Sequence, residues 1–152
     1  MGKVCCFTGH REFFDEKSLL SATLNKLLRS LVKRGFDTFR VGGAVGFDML
    51  AADEVLEMKK EFPDIKLHIF VPCLTQNKYY TKEQNKRYLE QINAADKIMC
   101  ISEQYNSGCM QKRNRALVDG ADFCVAYLRH HGGGTDYTVR YAEKNGVYVE
   151  RL

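Results

Sequence analysis

The chain has 152 residues, of which 45% are hydrophobic and 28% are charged, so it has the length of one domain and enough apolar material for a core. This composition excludes a disordered tail or a fibre. Lys and Arg outnumber Asp and Glu by 23 to 19, which permits an anionic ligand but not the dense basic surface of a non-specific duplex binder. We therefore expect one domain over residues 1–152.

Cysteine spacing and hydropathy indicate the compartment. The six cysteines show no C-x-x-C pair, and most lie in or beside apolar runs, which predicts buried free thiols in a reducing cytoplasm and no metal site. The chain does not open on a charged-then-apolar leader, and no run approaches the ~18 apolar residues that a membrane span needs. We expect a soluble, cytoplasmic protein without a membrane partner.

Hydrophobic patterning predicts strands and helices in alternation along the whole chain. Runs rich in β-branched and aromatic residues predict strands at 4–8, 38–41, 67–71, 98–101, 123–128 and 147–149. Helical periodicity predicts helices at 20–31, ending at Gly35, and at 47–60, 81–93, 110–119 and 137–144. The alternation predicts an α/β, Rossmann-like three-layer sandwich whose central, mostly parallel sheet has about six strands.

Glycine placement predicts where a ligand binds. Eight of the twelve glycines lie in four loops that follow predicted strands, at 8–11, 42–48, 106–108 and 132–135. In a parallel sheet these loops share one edge and line one crevice. Glycine allows close backbone approach, and a following helix N-terminus attracts anions. Neither G-x-G-x-x-G nor G-x-x-x-x-G-K-[ST] occurs, so the pattern predicts no dinucleotide fingerprint or ATP P-loop.

The side chains of these loops supply the remaining candidates. Asp48 is predicted either to cap its helix or to accept hydrogen bonds from ribose hydroxyls. Arg113 and Arg115 do not share a helix face, so one is predicted to reach the crevice while the other braces the surface. The ligand-binding candidates are Thr8, Gly9, His10, Arg11, Gly42, Gly43, Ala44, Gly46, Phe47, Asp48, Arg113, Asn114, Arg115, Gly132, Gly133, Gly134 and Thr135.

Aromatic and histidine residues near the loops allow two interpretations each. His10 either contacts phosphate or acts as an acid–base group, or it is simply an exposed loop residue. His130 and His131 are assigned to the surface. Tyr79, Tyr80 and Tyr105 are candidates for stacking on a base, with ordinary packing as the alternative.

The motifs together resemble the SLOG superfamily, the Rossmann-type group that includes DNA-processing protein A and the LOG phosphoribohydrolases, and within it the YpsA-like family. The resemblance rests on FTGHR at 7–11, GGAVGFD at 42–48, YN at 105–106, RNR at 113–115 and GGT at 133–135. It implies a nucleotide or nucleotide-derived ligand in the crevice. In LOG enzymes a Gly-Gly-x-Gly-Thr-x-x-Glu signature supplies a glutamate for cleavage, whereas this chain has Thr138 at that position.

We therefore expect a protein that binds or senses a nucleotide or an ADP-ribose-like molecule, without turnover and without a required cofactor. An N-glycosidase acting on nucleoside monophosphates is the alternative; N-glycoside hydrolysis needs a carboxylate, which Asp48, Asp136 or Glu103 would have to supply. Single-stranded DNA binding ranks below small-ligand binding because no basic stripe interleaved with aromatics is evident. A homodimer through exposed apolar residues of the third or fourth helix is possible, but the sequence shows no apolar patch that identifies the interface.

Overall fold

A computed structural model describes residues 2–152, so Met1, the first residue of the expected domain, lies outside the described part. The strands are β1 (Lys3–Gly9), β2 (Phe36–Val41), β3 (Lys66–Cys73), β4 (Lys97–Ser102), β5 (Phe123–Tyr127) and β6 (Tyr148–Arg151). The helices are α1 (Lys17–Lys33), α2 (Phe47–Glu61), α3 (Lys82–Ala94), α4 (Cys109–Val118) and α5 (Gly134–Lys144). Each predicted element is present, and the largest shifts are the starts of α1 and α5, each three residues earlier than expected.

The six strands form one parallel sheet in the order β4-β3-β2-β1-β5-β6. The chain first moves outward from β1 to β4 and then returns to place β5 on the other side of β1. Because right-handed crossovers change face when the direction of winding changes, α1, α2 and α3 cover one face and α4 and α5 the other. The fold is therefore the predicted α/β, Rossmann-like three-layer sandwich.

The core has two parts, one on each face of the sheet. Alternate residues of β1 illustrate the division, since Cys5 and Phe7 pack with α1 and α2, whereas Cys6 packs with α4 and α5. The apolar stripe of α1 buries Leu20, Leu24, Leu28 and Leu31, as its periodicity predicts. All six cysteines are free; five are buried and Cys100 is exposed.

The sheet also determines where a ligand site can form. All strands point the same way, so their carboxyl ends lie at one edge, and the winding direction reverses between β1 and β5. Ligands of open α/β sheets bind at this switch point. In the part of the chain from residue 2 onward, no helix is long and apolar enough to cross a membrane.

Candidate functional site

A cavity of about 700 Å³ lies at the carboxyl ends of β1 and β5. Four segments form its walls: β1 with the β1–α1 loop, the β2–α2 turn with the start of α2, one face of α4, and the β5–α5 loop with the start of α5. Most of the sequence-predicted ligand residues line it. These are Thr8, Gly9, His10, Arg11, Ala44, Asp48, Arg113, Asn114, Gly132, Gly133, Gly134 and Thr135.

The β2–α2 loop is filled by the protein's own side chains. The Ala44 N–H donates to Asp48 Oδ2 at 3.3 Å, and the Gly42 carbonyl accepts from the Arg113 guanidinium. A Cβ placed on Gly42 would lie 2.7 Å from Asp48 Oδ2 and 2.8 Å from Arg113 Nη1. These two side chains enclose Gly42, whereas Ala44 of the same turn lines the cavity. Phosphate binding by the backbone of 42–46 stays a prediction.

The other predicted residues of this turn pack beneath the residues that line the cavity. Gly43 packs against Gln76, Ile69 and Tyr88, and its carbonyl accepts from the Tyr80 hydroxyl at 2.9 Å. Gly46 has φ +86°, and a Cβ there would lie 2.3 Å from the Arg11 carbonyl oxygen. Phe47 packs under Gly9 and stacks on Tyr127 with ring centroids 5.6 Å apart. Gly42, Gly43, Gly46 and Phe47 thus do not line the cavity.

Asp48 and Arg113 form a buried charged centre beside the cavity, with 6% and 4% of their surfaces exposed. Burial raises the pKa of Asp48 to about 6, and the nearby Arg113 only partly offsets this. The Arg113 guanidinium also donates to the Phe70 carbonyl at 3.2 Å and to Asn114 Oδ1 at 2.9 Å. Much of its donor capacity is therefore used within the protein.

Arg115 lies on the outer side of α4. Its Nη1 donates to the Tyr137 hydroxyl at 2.8 Å, so it braces α4 against α5 and does not line the cavity. One arginine of the pair thus faces the crevice and the other the surface, as the i, i+2 spacing predicts.

The β5–α5 loop is the anion-attracting part of the cavity wall. The Gly132 N–H donates to Asp136 Oδ2 at 3.0 Å, which closes the loop before α5 begins. Gly133, Gly134 and Thr135 follow and line the cavity. The first N–H groups of a helix lack intrahelical acceptors and attract negative charge, so the start of α5 presents backbone donors here.

Two of the three candidate catalytic carboxylates lie away from the cavity lining. Asp136 Oδ1 is 3.2 Å from both His131 Nδ1 and Arg140 Nε, and the pKa of Asp136 is lowered to about 2, first by the Gly132 N–H. Glu103 lies on the exposed loop after β4, where its carbonyl accepts from Leu74 N. Among residues 2–152, the carboxylates that line the cavity are Asp48 and Glu12.

Thr138 occupies the position of the LOG glutamate. It is 1% exposed, and its hydroxyl donates to the Gly134 carbonyl at 2.8 Å. The side chain is therefore engaged within α5 and brings no carboxylate to the cavity.

Several residues of the cavity wall were missed at the level of sequence. His130, assigned to the surface, is exposed but lines the cavity and stacks on His10 with centroids 4.1 Å apart and planes at 8°. The sequence did contain a signal for this placement, because His130 closely follows the predicted strand at 123–128. Glu12, Phe14, Met110, Gln111 and Tyr137 also line the cavity. Of the three stacking candidates, Tyr79 and Tyr105 are exposed elsewhere and Tyr80 supports Gly43.

Comparison with known proteins places these features in a family. The YpsA family model, described as "YspA SLOG family", matches residues 5–148. A UPF0398 protein of Bacillus cereus strain B4264 is 30% identical over 156 residues, which cover 95% of this chain and 84% of that relative.

Two solved structures have a similar fold. DNA processing protein A of Helicobacter pylori, described as binding single-stranded DNA, superposes with a TM-score of 0.71 at 22% identity over 99% of this chain. The Streptococcus pneumoniae protein of the same name gives 0.72 at 17% identity, also over 99%. This chain spans 65% and 50% of those two chains, respectively. At these identities the likeness is one of fold.

Proposed function

Because the chain belongs to the YspA SLOG family, we propose that it binds a nucleotide or nucleotide-derived ligand, such as an ADP-ribose-like molecule, in the cavity between β1 and β5. The volume of about 700 Å³ is in the range of small-molecule sites. The position at the switch point of the sheet is where such ligands bind in open α/β folds.

One juxtaposition carries this proposal: the start of α5 and Arg11 line the same cavity. Arg11 is exposed and has no hydrogen-bond or ion-pair partner elsewhere in residues 2–152. Backbone donors at a helix N-terminus together with an available guanidinium are suited to a phosphate. We therefore assign the anionic part of the ligand to Arg11 and the segment from Gly132 to Thr135.

The same site favours binding without cleavage. The α5 position that carries a glutamate in LOG enzymes is a buried threonine, and Asp48 is enclosed with Arg113. Glu12 remains as an exposed carboxylate of the wall, but an N-glycosidase places its carboxylate against the reacting carbon. We propose a sensor or binding protein that needs no cofactor or metal for this role.

The experiment is calorimetry and thermal shift with AMP, ADP, ADP-ribose and NAD. We expect at least one to stabilise the wild type, and Arg11→Ala to weaken its binding about ten- to a hundredfold, because hydrogen bonds to charged groups contribute about 1.5–3 kcal/mol. Lys33→Ala removes the same charge at the far end of α1 and should leave affinity unchanged. No stabilisation by any of the four, or equal affinity of the wild type and Arg11→Ala, would contradict the proposal.

Two further readouts separate the alternatives. Incubation with nucleoside monophosphates should release no free base; release that Asp48→Asn or Glu12→Gln abolishes would replace binding by an N-glycosidase. Single-stranded DNA is the second candidate because a protein of the same fold is described as binding it. A gel shift with oligo-dT that weakens steeply with salt and is lost in Arg11→Ala would favour that candidate.

A further inference from the structure

His10 is a buried polar residue in the wall of the cavity. It follows β1 directly, is 8% exposed, and lines the cavity between Gly9 and Arg11. Its ring is held from several sides: His130 stacks on it at 4.1 Å, and Phe14 and Tyr127 approach edge-on with centroids at 5.6 and 5.9 Å. The ring therefore has a defined orientation before any ligand binds.

One hydrogen bond determines which ring nitrogen carries the proton. The Arg129 backbone N–H donates to His10 Nε2 at 2.8 Å. Since a backbone N–H can only donate, Nε2 must be unprotonated, and the neutral ring carries its hydrogen on Nδ1. Burial lowers the pKa of His10, and His130 and Arg129 lower it further, which favours the neutral ring. No acceptor for the Nδ1–H is present among residues 2–152.

We propose that His10 is a specificity-determining residue of the cavity, whose Nδ1–H donates a hydrogen bond to an acceptor atom of the bound ligand. The proposal rests on the function proposed above and adds to it a neutral, directional donor, distinct from the charge of Arg11. Among residues 2–152, Arg40 Nε is the buried side-chain nitrogen or oxygen that lacks a partner. The Nδ1 atom of His10 is therefore reached by solvent from the cavity, where an acceptor atom of a ligand can replace water. The site therefore selects ligands with an oxygen or nitrogen acceptor at this point.

His10 also has a structural contact, which the test must separate from ligand binding. The Arg129 segment is held independently by Asp15, whose Oδ2 accepts from Arg129 Nε and from the Tyr127 hydroxyl, both at 2.7 Å. The Phe14 N–H in turn donates to the Tyr127 hydroxyl at 2.8 Å. The β1–α1 and β5–α5 loops thus stay connected when the His10 contact is lost.

Two substitutions test the two ring nitrogens separately. His10→Gln places an amide oxygen near the Nε2 position and can still accept from Arg129, but it removes the donor at Nδ1. His10→Asn places an amide near the Nδ1 position and removes the Nε2 acceptor. We expect His10→Gln to bind AMP and ADP-ribose about ten- to a hundredfold more weakly than the wild type in calorimetry.

His10→Asn should restore part of the affinity that His10→Gln loses, because its amide can still donate near the Nδ1 position. His10→Asn should bind the same probes at least about tenfold more tightly than His10→Gln, although it loses the Arg129 contact and melts at a lower temperature. Equal loss in both variants, or no loss in His10→Gln, would overturn the proposal and leave the proposed function standing if the wild type binds. Absence of wild-type binding to every nucleotide would overturn both.

Nitrogen-15 NMR of the histidine rings tests the donor without any ligand. At pH 7.5 the His10 ring should show a protonated Nδ1 and an unprotonated Nε2, and His130→Ala should not exchange the two. A spectrum with the proton on Nε2, or a fully protonated ring, would overturn the assignment of the donor even if nucleotides bind.

Discussion

At the scale of single residues, Asp48 decides how the β2–α2 turn is used. Its carboxylate accepts from the Ala44 N–H and lies beside the Arg113 guanidinium in a site with 6% exposure. The carboxylate thus occupies the space directly beside Gly42. Gly42 is required by the close approach of the Asp48 and Arg113 side chains, and Gly46 by its positive φ and the nearby Arg11 backbone.

The raised pKa of Asp48 gives a testable pH dependence. With a folded pKa of about 6 against 3.8, the native state binds more protons than the unfolded state within this window, so the free energy of unfolding falls as pH rises from about 4 to 6. The contribution is up to about 3 kcal/mol, at 1.36 kcal/mol per pKa unit. Asp48→Asn should remove this decrease.

Urea unfolding at pH 4 and pH 7.5 measures the effect as the difference between wild type and variant. Asp64→Asn, an exposed site on the α2–β3 loop, serves as the control and should follow the wild type. If Asp48→Asn and the wild type keep the same stability difference at both pH values, the carboxylate is not buried in the native state as described.

At the scale of elements, α3 combines a small buried surface with a complete N-terminal cap. Of its 13 residues, Tyr88 and Gln91 are buried. The Gln84 N–H donates to Thr81 Oγ1 at 3.1 Å, and the Thr81 N–H donates to Gln84 Oε1 at 2.9 Å. This capping box satisfies donors at the start of the helix, and the threonine marks the beginning of α3 in the sequence.

Thr81→Ala should therefore destabilise the protein by about 1 kcal/mol, because the cap is lost without compensation. Thr23→Ala is the matched control, since the Thr23 hydroxyl donates to the Leu19 carbonyl inside α1 and its loss should change stability by less than about 0.5 kcal/mol. Urea midpoints of the two variants give the comparison. Equal effects would show that the cap contributes nothing specific.

At the scale of the whole molecule, the sheet has a protected centre and a less protected edge. All five residues of β5 are buried, whereas four of the six residues of β4 are exposed, including Ile98 at 39% and Met99 at 37%. The strand order places β1 and β5 inside the sheet, with paired strands on both sides, and β4 at one end. Local opening therefore requires far less disruption at β4.

Amide hydrogen exchange tests this gradient of stability. Among hydrogen-bonded strand amides, those of β1 and β5 should exchange slowest, close to the rate set by global unfolding, and those of β4 at least about a hundredfold faster. Backbone-resolved exchange at neutral pH provides the measurement. Uniform protection from β4 to β6 would mean that the sheet opens only as one unit.

Local patterns in the sequence predicted most of the secondary structure. The leucine spacing of α1 and the β-branched and aromatic runs of the strands depend on neighbours a few residues away, so they can be recognised without knowledge of the tertiary structure. The alternation of strands and helices also limits the topology, since right-handed crossovers leave few arrangements. The four glycine loops at one edge of the sheet follow from that topology.

By itself, the sequence determined the α/β fold, the edge of the sheet that holds the cavity, and most residues of the cavity wall. Only the tertiary structure decided which of the loop glycines line the cavity. Asp48 and Arg113, 65 residues apart in the chain, meet at Gly42 and fill its turn, whereas the turn at Gly132–Thr135 stays open beside Arg11 and the stacked rings of His10 and His130. The stacked rings meet because β5 pairs with β1, and Arg113 reaches Gly42 from α4. Contacts over such distances in the chain leave no local periodicity in the sequence.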